Sequence, residues 1–378
     1  VTRTLRALIA TTCSLVPALL AVGCSGKTPP TAATTPGGPA TTIQTDSAEL
    51  SGRGSTFIQP IMKFWTEEFH LRTDNKVKID YQGTGSGDGV KGVTDKLCDF
   101  GCSDFPLNEE QIKQADAKGG PTVHIPLVIG AVVPMYRLDG VDKTLVFSGP
   151  VLADIFSGKI TKWNDAKLKD LNPGANLPDV SISPVCRADK SGTSFIFTDY
   201  LSKVSPEFKK TVGVSSEPKW PENVGTKQQK TDGVAGHITK NNGAIGYVEL
   251  TYALDTKAGY GAVVNKAGKT VRADLDSITA AAAATLGHTQ TEKPYSLHDL
   301  TYNLTDAAGD ASYPIAALSF AIIYQKQSGP KGKAVVEFLK WASSPAAQEL
   351  AKKRNFAPLP VKLQKQIHEK LGKVDLVP

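Results

Sequence analysis

The stretch VCRADKSGTSFIFTDYL, Val185–Leu201, sets Arg187 and Asp189 two residues apart and follows them with Ser191-Gly192-Thr193 and an apolar run. Small hydroxyl residues before an apolar run mark a helix start. The first N–H groups of a helix have no partner inside it, so a helix start receives an anion readily. Arg187 would add a planar fork of donors. The competing reading is a surface ion pair with Asp189, of little consequence.

Three other short stretches carry related chemistry. GTGSGDGV, residues 83–90, is a Gly-rich turn that can aim Ser86 and nearby N–H groups at an anion. It is not a dinucleotide fingerprint: counted from Gly83 or Gly85, the sixth residue is Asp88 or Val90, and no G-x-x-x-x-G-K-[ST] occurs. In GSTF, residues 54–57, Thr56 either caps the helix that follows or donates to a ligand, and capping is favoured in isolation. In GCSDFPL, residues 101–107, Ser103 and Asp104 either form an Asx-type turn before Pro106 or present an acid to a ligand.

The elements that would position these residues alternate between strand and helix. Ile61, Phe64, Trp65 and Phe69 have the spacing of an amphipathic helix, and KVKIDYQ alternates as a strand. The Gly-rich turn then leads into a helix, and DFGCSDFPL reads as a short strand ending in a loop. HIPLVIGAVVPMYR, with two prolines, reads as a buried strand and a crossing. Strand, turn and helix recur at SISPVCRAD and KSGTSFIFTDYL, and GAIGYVEL follows a helix at GVAGHITKN. TAAAAATLG is helical by propensity. Val335, Phe338, Leu339 and Ala342 share a helix face, and Ser344-Pro345 opens another helix. This is an α/β pattern, with mixed sheets flanked by helices.

The 378 residues suffice for two domains. A net charge of +6, with no basic run interleaved by aromatics, argues against nucleic acid. Arg3 and Arg6 precede the apolar stretch ALIATTCSLVPALLAVG, which ends at Cys24. Small residues followed by cysteine resemble a bacterial lipoprotein signal, with Cys24 the lipidated residue; an ordinary cleaved signal peptide is the alternative. Val1 fits a non-AUG start codon of a bacterial precursor. Residues 25–47 are Thr/Pro/Gly/Ala-rich and read as a flexible tether. Beyond Cys13 and Cys24, Cys98, Cys102 and Cys186 remain; in an oxidising compartment this odd number predicts one disulfide and one free thiol, with the pairing open.

Taken together, GRGSTF, YQGTGSGDGV, DFGCSDFPL, GKITKWND, LNPGANLP, CRADKSGTSFIFTDYL and NNGAIGYVEL resemble the extracytoplasmic phosphate-binding proteins of bacterial phosphate ABC transporters. The resemblance spans roughly residues 52 to 360, and R-A-D-x-S-G-T-S-F is its most specific segment. It implies a two-lobed periplasmic binding protein fold of type II, with two hinge crossings and closure on the ligand. The implied layout is a signal peptide at 1–23, a lipidated cysteine and tether at 24–48, a first lobe from 49–128 and 296–378, and a second lobe at 129–295. The phosphate ligands carry over to Thr56, Phe57 through its N–H, Ser86, Asp104, Arg187, Ser191, Gly192 and Thr193, with Asp189 bracing Arg187. The implied partners are inorganic phosphate, the permease subunits and, through the lipid, a membrane. The resemblance implies no cofactor, and a monomer is expected. Three positions depart from the family: Lys190 where glycine is common, Asp88 in the Gly-rich loop, and Ile58 in place of proline.

Phosphate carries both acceptor oxygens and at least one O–H near neutral pH, so a site for it needs many donors and one acceptor. On this pattern Asp104 supplies the acceptor. Sulfate has no such proton and would leave the acid unpaired, whereas arsenate would be excluded poorly. Other tetrahedral oxyanions, a secreted phosphatase and an adhesin with a relict site are the competing functions. Catalysis lacks support, because His70, His124, His237, His288, His298 and His368 are isolated in sequence and form no two-metal pattern.

Overall fold

The computed structural model describes residues 42–378 except Asn223 and Lys257. Cys13, Cys24, the signal segment and most of the tether lie outside the described residues. Packing begins earlier than the tether's expected end. Ile43 lies against the core, its N–H donates to the Arg72 carbonyl at 2.8 Å, and Ala48 opens the first strand.

The main sheet runs, in spatial order, through Val77–Gly83, Ala48–Gly54, Phe100–Ser103, Ala316–Tyr324, Thr122–Tyr136, Ala244–Glu249, Ser183–Arg187 and Thr226–Gln228. Two parallel clusters stand at its ends. Ala48–Gly54 pairs in parallel with Val77–Gly83 and Phe100–Ser103, and Ser183–Arg187 pairs in parallel with Ala244–Glu249 and Thr226–Gln228. Antiparallel pairs join them through the middle.

The long apolar run is one continuous strand, Thr122–Tyr136, rather than a strand and a separate crossing. It changes partner along its length: residues 122–131 pair with Ala316–Tyr324, and residues 132–136 pair with Ala244–Glu249. Proline cannot donate to a ladder. Pro126 is accommodated where the register with Ser319 and Phe320 shifts.

Helices cover the sheet where the periodicity places them. Gln59–Arg72 buries Ile61, Met62, Trp65 and Phe69, and Trp65 Nε1 donates to the Ala347 carbonyl at 3.0 Å. Phe64 departs from the expected face: it is half-exposed, with the Arg354 guanidinium over its ring at 4.0 Å. Gly329–Ala342 buries Val335, Phe338, Leu339 and Ala342, and Ser344 caps Pro345–Lys352.

The cysteine expectation fails. Cys98, Cys102 and Cys186 are all free thiols. Cys102 and Cys186 lie on strands separated by three others, on the order of 19 Å at the usual strand spacing, far beyond disulfide reach. Burial pushes the Cys98 thiol up to about 12, so it stays protonated and unreactive.

Candidate functional site

The parallel clusters explain where the chemistry gathers. In such arrangements ligands bind beyond the carboxyl ends of the strands. Ser55 and Thr56 follow Ala48–Gly54, Ser86 follows Val77–Gly83, Asp104 follows Phe100–Ser103, and Arg187 ends its own strand. All five side chains are buried.

Asp104 anchors one side. Its Oδ1 accepts from Ser55 Oγ at 2.6 Å and Ser319 Oγ at 2.7 Å, and its Oδ2 accepts from Ser86 Oγ at 3.0 Å. Burial raises its pKa, and the three hydroxyls and the Arg187 charge pull it back down. The turn before Pro106 is made by Ser103 instead: its Oγ donates to the Phe105 carbonyl at 2.6 Å and accepts from the Phe105 N–H at 3.2 Å.

Arg187 anchors the other side. It is not a surface residue: its side chain is 1 % exposed, and both forks of Asp189 bind it, Oδ1 on Nε at 2.9 Å and Oδ2 on Nη2. Asp189 also accepts the Lys230 N–H at 2.9 Å, which fixes the carboxylate. Arg187 Nη1 donates to Thr231 Oγ1 at 3.1 Å and Thr193 Oγ1 at 3.4 Å.

The helix Gly192–Val204 starts between the two sides. Ser191 caps it, accepting the Ser194 N–H at 3.1 Å, which leaves the Ser191 hydroxyl hydrogen free to donate. Gly192 lies directly against Asp104 Oδ2 and Ser86 Oγ, so a Cβ there would clash with both. The second helix start, at Ser86–Thr94, follows Gly85, whose φ of 107° a side chain rarely adopts. Its Gly87 N–H donates to the Lys190 carbonyl at 2.9 Å.

Thr56 does not cap the Gln59–Arg72 helix, which begins after Ile58 without a side-chain cap. Its Oγ1 meets Thr231 Oγ1 at 2.8 Å, a link between the two sheet ends, and Tyr252 Oη donates to its carbonyl at 2.8 Å. The Phe57 N–H donates to Ser55 Oγ at 3.0 Å. The departures at Lys190 and Asp88 point away from this centre. Lys190 is exposed, with Glu217 at 3.6 Å, and Asp88 accepts from Thr84 Oγ1 at 2.5 Å with Arg53 at 3.7 Å. Ile58 is fully buried.

The structure thus brings together every residue expected at the site and adds Ser55, Thr231 and Ser319. Ser55 stood in the quoted GSTF stretch, and Ser319 is a lone hydroxyl in the apolar run AALSFAIIY; Thr231 has no local mark. The histidines are less isolated than expected. His124 and His298 lie with ring centroids 3.8 Å apart and planes tilted by 43°, bonded to the Leu107 N–H and carbonyl at 3.1 and 2.7 Å. Among the described residues no group of three His, Cys, Asp or Glu could hold a metal ion.

Hydroxyls and helix-start N–H groups gathered around one acid and one neutralised arginine make a donor-rich centre of the kind that suits a small oxyanion. The family model of the PBP superfamily domain matches residues 38–346. A phosphate-binding protein PstS of Xylella fastidiosa (strain 9a5c) is 41 % identical over 87 % of this chain and 86 % of its own. One from Pasteurella multocida (strain Pm70) is 39 % identical over 86 % of this chain and 90 % of its own. The chain belongs to the PBP superfamily and, within it, to the family of these PstS proteins. In fold it is similar to a high-affinity periplasmic phosphate-binding protein, PfluDING, solved with bound phosphate. That match has a TM-score of 0.68 at 18 % identity and covers 85 % of this chain and 93 % of the other.

Proposed function

We propose that this protein captures inorganic phosphate outside the cytoplasmic membrane and hands it to the permease of a phosphate ABC transporter. The observation that carries the reading is Asp104, a buried acid bonded to three hydroxyls and set against a helix start. A carboxylate beside an anion is tolerable only if the anion brings a proton for it. The names of the relatives support the same ligand.

In this reading Thr56, Ser191 and Thr193 donate hydroxyls, Gly192 donates its N–H, and Ser86, whose hydroxyl hydrogen goes to Asp104 Oδ2, lines the site at the second helix start. Phe57 shares its N–H between Ser55 and the anion, and Arg187, whose Nε and one Nη2 N–H are held by Asp189, supplies its remaining Nη2 N–H. Asp104 accepts the ligand's proton. The anion's charge is met by oriented dipoles more than by net cationic charge. Residues 49–128 and 296–378 form one lobe and 129–295 the other, and closure brings Gly192 onto Asp104. One crossing is the strand Thr122–Tyr136, where it changes partner; the other is the chain's return toward Ala316–Tyr324. The protein acts as a monomer, held to a bacterial membrane by a lipid on Cys24 and reaching out on its tether.

Calorimetric titration at pH 7, after bound anion is stripped by partial unfolding, tests the ligand. Phosphate should bind and sulfate should give no heat, a discrimination of roughly 10⁴ or more. Asp104→Asn should weaken phosphate and admit sulfate, because an amide can donate where the carboxylate only accepts. Sulfate binding to the unaltered protein as tightly as phosphate would sink the reading.

A further inference from the structure

Asp104 has about four lone-pair positions, and their assignment decides what it can accept. Ser55 and Ser319 both donate to Oδ1 and fill it. Ser86 takes one position on Oδ2, and that oxygen faces Gly192 at the helix start. One lone pair therefore remains, on the oxygen beside the Gly192 helix start.

The register explains why Ser319 is there. Phe320 pairs with Ser103 and Ala321 with Cys102 in the antiparallel ladder. One step further puts Ser319 opposite Asp104, where cross-strand side chains meet. The ladder with the neighbouring strand shifts register at the same place, between Ser319 and Phe320, and bulges beside binding sites aim side chains in this way. Ser319 is fully buried, so its hydroxyl needs a partner, and Asp104 Oδ1 is that partner. Ser55 is obliged to donate for a different reason. Its oxygen already accepts the Phe57 N–H, so its own hydrogen points to Asp104.

Resting on the phosphate reading above, we propose that Ser319 and Ser55 are positioning residues. They lock Asp104 as a pure acceptor and so set which protonation state of a tetrahedral oxyanion the cleft takes. A proton on Oδ1 would have to turn one of these hydroxyls out of its bond, and a proton on Oδ2 would convert the acceptor into a donor that suits sulfate. Arg187 is the cation facing Asp104; Glu249, Tyr81, Cys102 and Tyr295 are the other titratable groups that feel its charge. The hydroxyls and Arg187 oppose the burial that favours the protonated acid.

The test is calorimetric titration of the purified protein with phosphate and with sulfate from pH 5 to 8.5, for the unaltered chain, Ser319→Ala, Ser55→Ala and Asp104→Asn. Each alanine variant should move the acid limb of phosphate binding upward by about one pH unit, since a hydrogen bond to a charged group is lost. The phosphate-to-sulfate ratio at pH 6 should fall about tenfold with it. A role in packing alone would lower phosphate affinity evenly at all pH values and leave the limb in place; that result in both variants overturns the proposal. If Ser319→Ala does not fold, Ser55→Ala carries the same expectation from another strand. No phosphate binding by the unaltered protein overturns both this proposal and the reading beneath it. Phosphate binding that depends on Asp104, with an unmoved limb, overturns this proposal alone.

Discussion

Asp104 and Arg187 are both buried charges at the carboxyl ends of strands, yet they are satisfied in opposite ways. Arg187 carries its own counter-ion, held by both carboxylate oxygens of Asp189, with threonines on its remaining nitrogen. Among the described residues Asp104 is bonded to no Lys or Arg side chain, only to three serines. The Arg187 side therefore offers directed donors with little net charge. The Asp104 side offers an acid among serine hydroxyls, its pKa raised by burial and drawn back by those hydroxyls and the Arg187 charge. On the proposed reading, attraction and discrimination thus belong to different ends of the sheet: the Arg187 end with the helix start would attract an oxyanion, and the Asp104 end would check it for a proton.

The largest expected effect comes from forcing the two sides apart. Gly192 belongs to the Arg187 side but lies against Asp104 Oδ2 and Ser86 Oγ. A methyl at this position cannot share that space, and buried overpacking costs about 1–3 kcal/mol, or roughly 5- to 150-fold in affinity. Gly192→Ala should weaken phosphate binding by that factor. Its thermal midpoint without ligand should move little, because the sides can separate when no anion holds them. An unchanged affinity would mean that ligand binding does not bring Asp104 and Gly192 into contact.

A smaller effect isolates the Arg187 side. Thr231 takes a hydrogen bond from Arg187 Nη1 and meets Thr56 Oγ1 across the site. Thr231→Val keeps the shape and removes the hydroxyl. One buried hydrogen bond is worth about 1 kcal/mol, or roughly fivefold in affinity. The loss should fall equally on phosphate at every pH, with no change in sulfate exclusion, because the Asp104 side is untouched. A shifted pH profile would show that the two sides are coupled.

How much of this was legible in the sequence differs between the two sides. The Arg187 side lies in one local stretch, where Arg187, Asp189 and Ser191-Gly192-Thr193 are within seven residues, so local spacing identifies it. The Asp104 side is assembled from Ser55, Ser86, Asp104 and Ser319, the last more than two hundred residues distant, and only strand register brings them together. Thr56 shows the limit of local rules: its position fits a helix cap, but the helix starts three residues later and its hydroxyl goes to Thr231. The disulfide expectation failed similarly. Compartment and count suggest a bond, but strand order sets Cys102 and Cys186 apart. The two prolines suggested a break in the run at 122–136, whereas a register shift lets the strand continue past Pro126.

A third buried acid sharpens the contrast with Asp104. Glu249 is fully buried where the Thr122–Tyr136 strand takes its second partner, paired with Val132. One of its oxygens accepts the Thr251 N–H at 2.8 Å; the other has no partner. With Thr251 its sole donor residue, where Asp104 has three serines, burial dominates and holds its pKa well above the ordinary carboxylate range. The folded protein therefore keeps a proton that the unfolded chain releases above about pH 4.3. Stability is lost as pH rises from there toward the folded pKa, by up to about 1.4 kcal/mol per pH unit for one proton. Glu249→Gln mimics the neutral acid and cannot release that proton. Urea unfolding without phosphate at pH 5, 6 and 7 should show the variant losing less stability than the unaltered protein, with the gap widening as pH rises. Asp104, also raised, leaves some slope of the same sign in both. Phosphate affinity at pH 7 should change by less than about twofold, since Glu249 donates nothing to the anion. Parallel stability curves would mean that Glu249 is ionised in the folded state and that hydroxyl count does not separate it from Asp104.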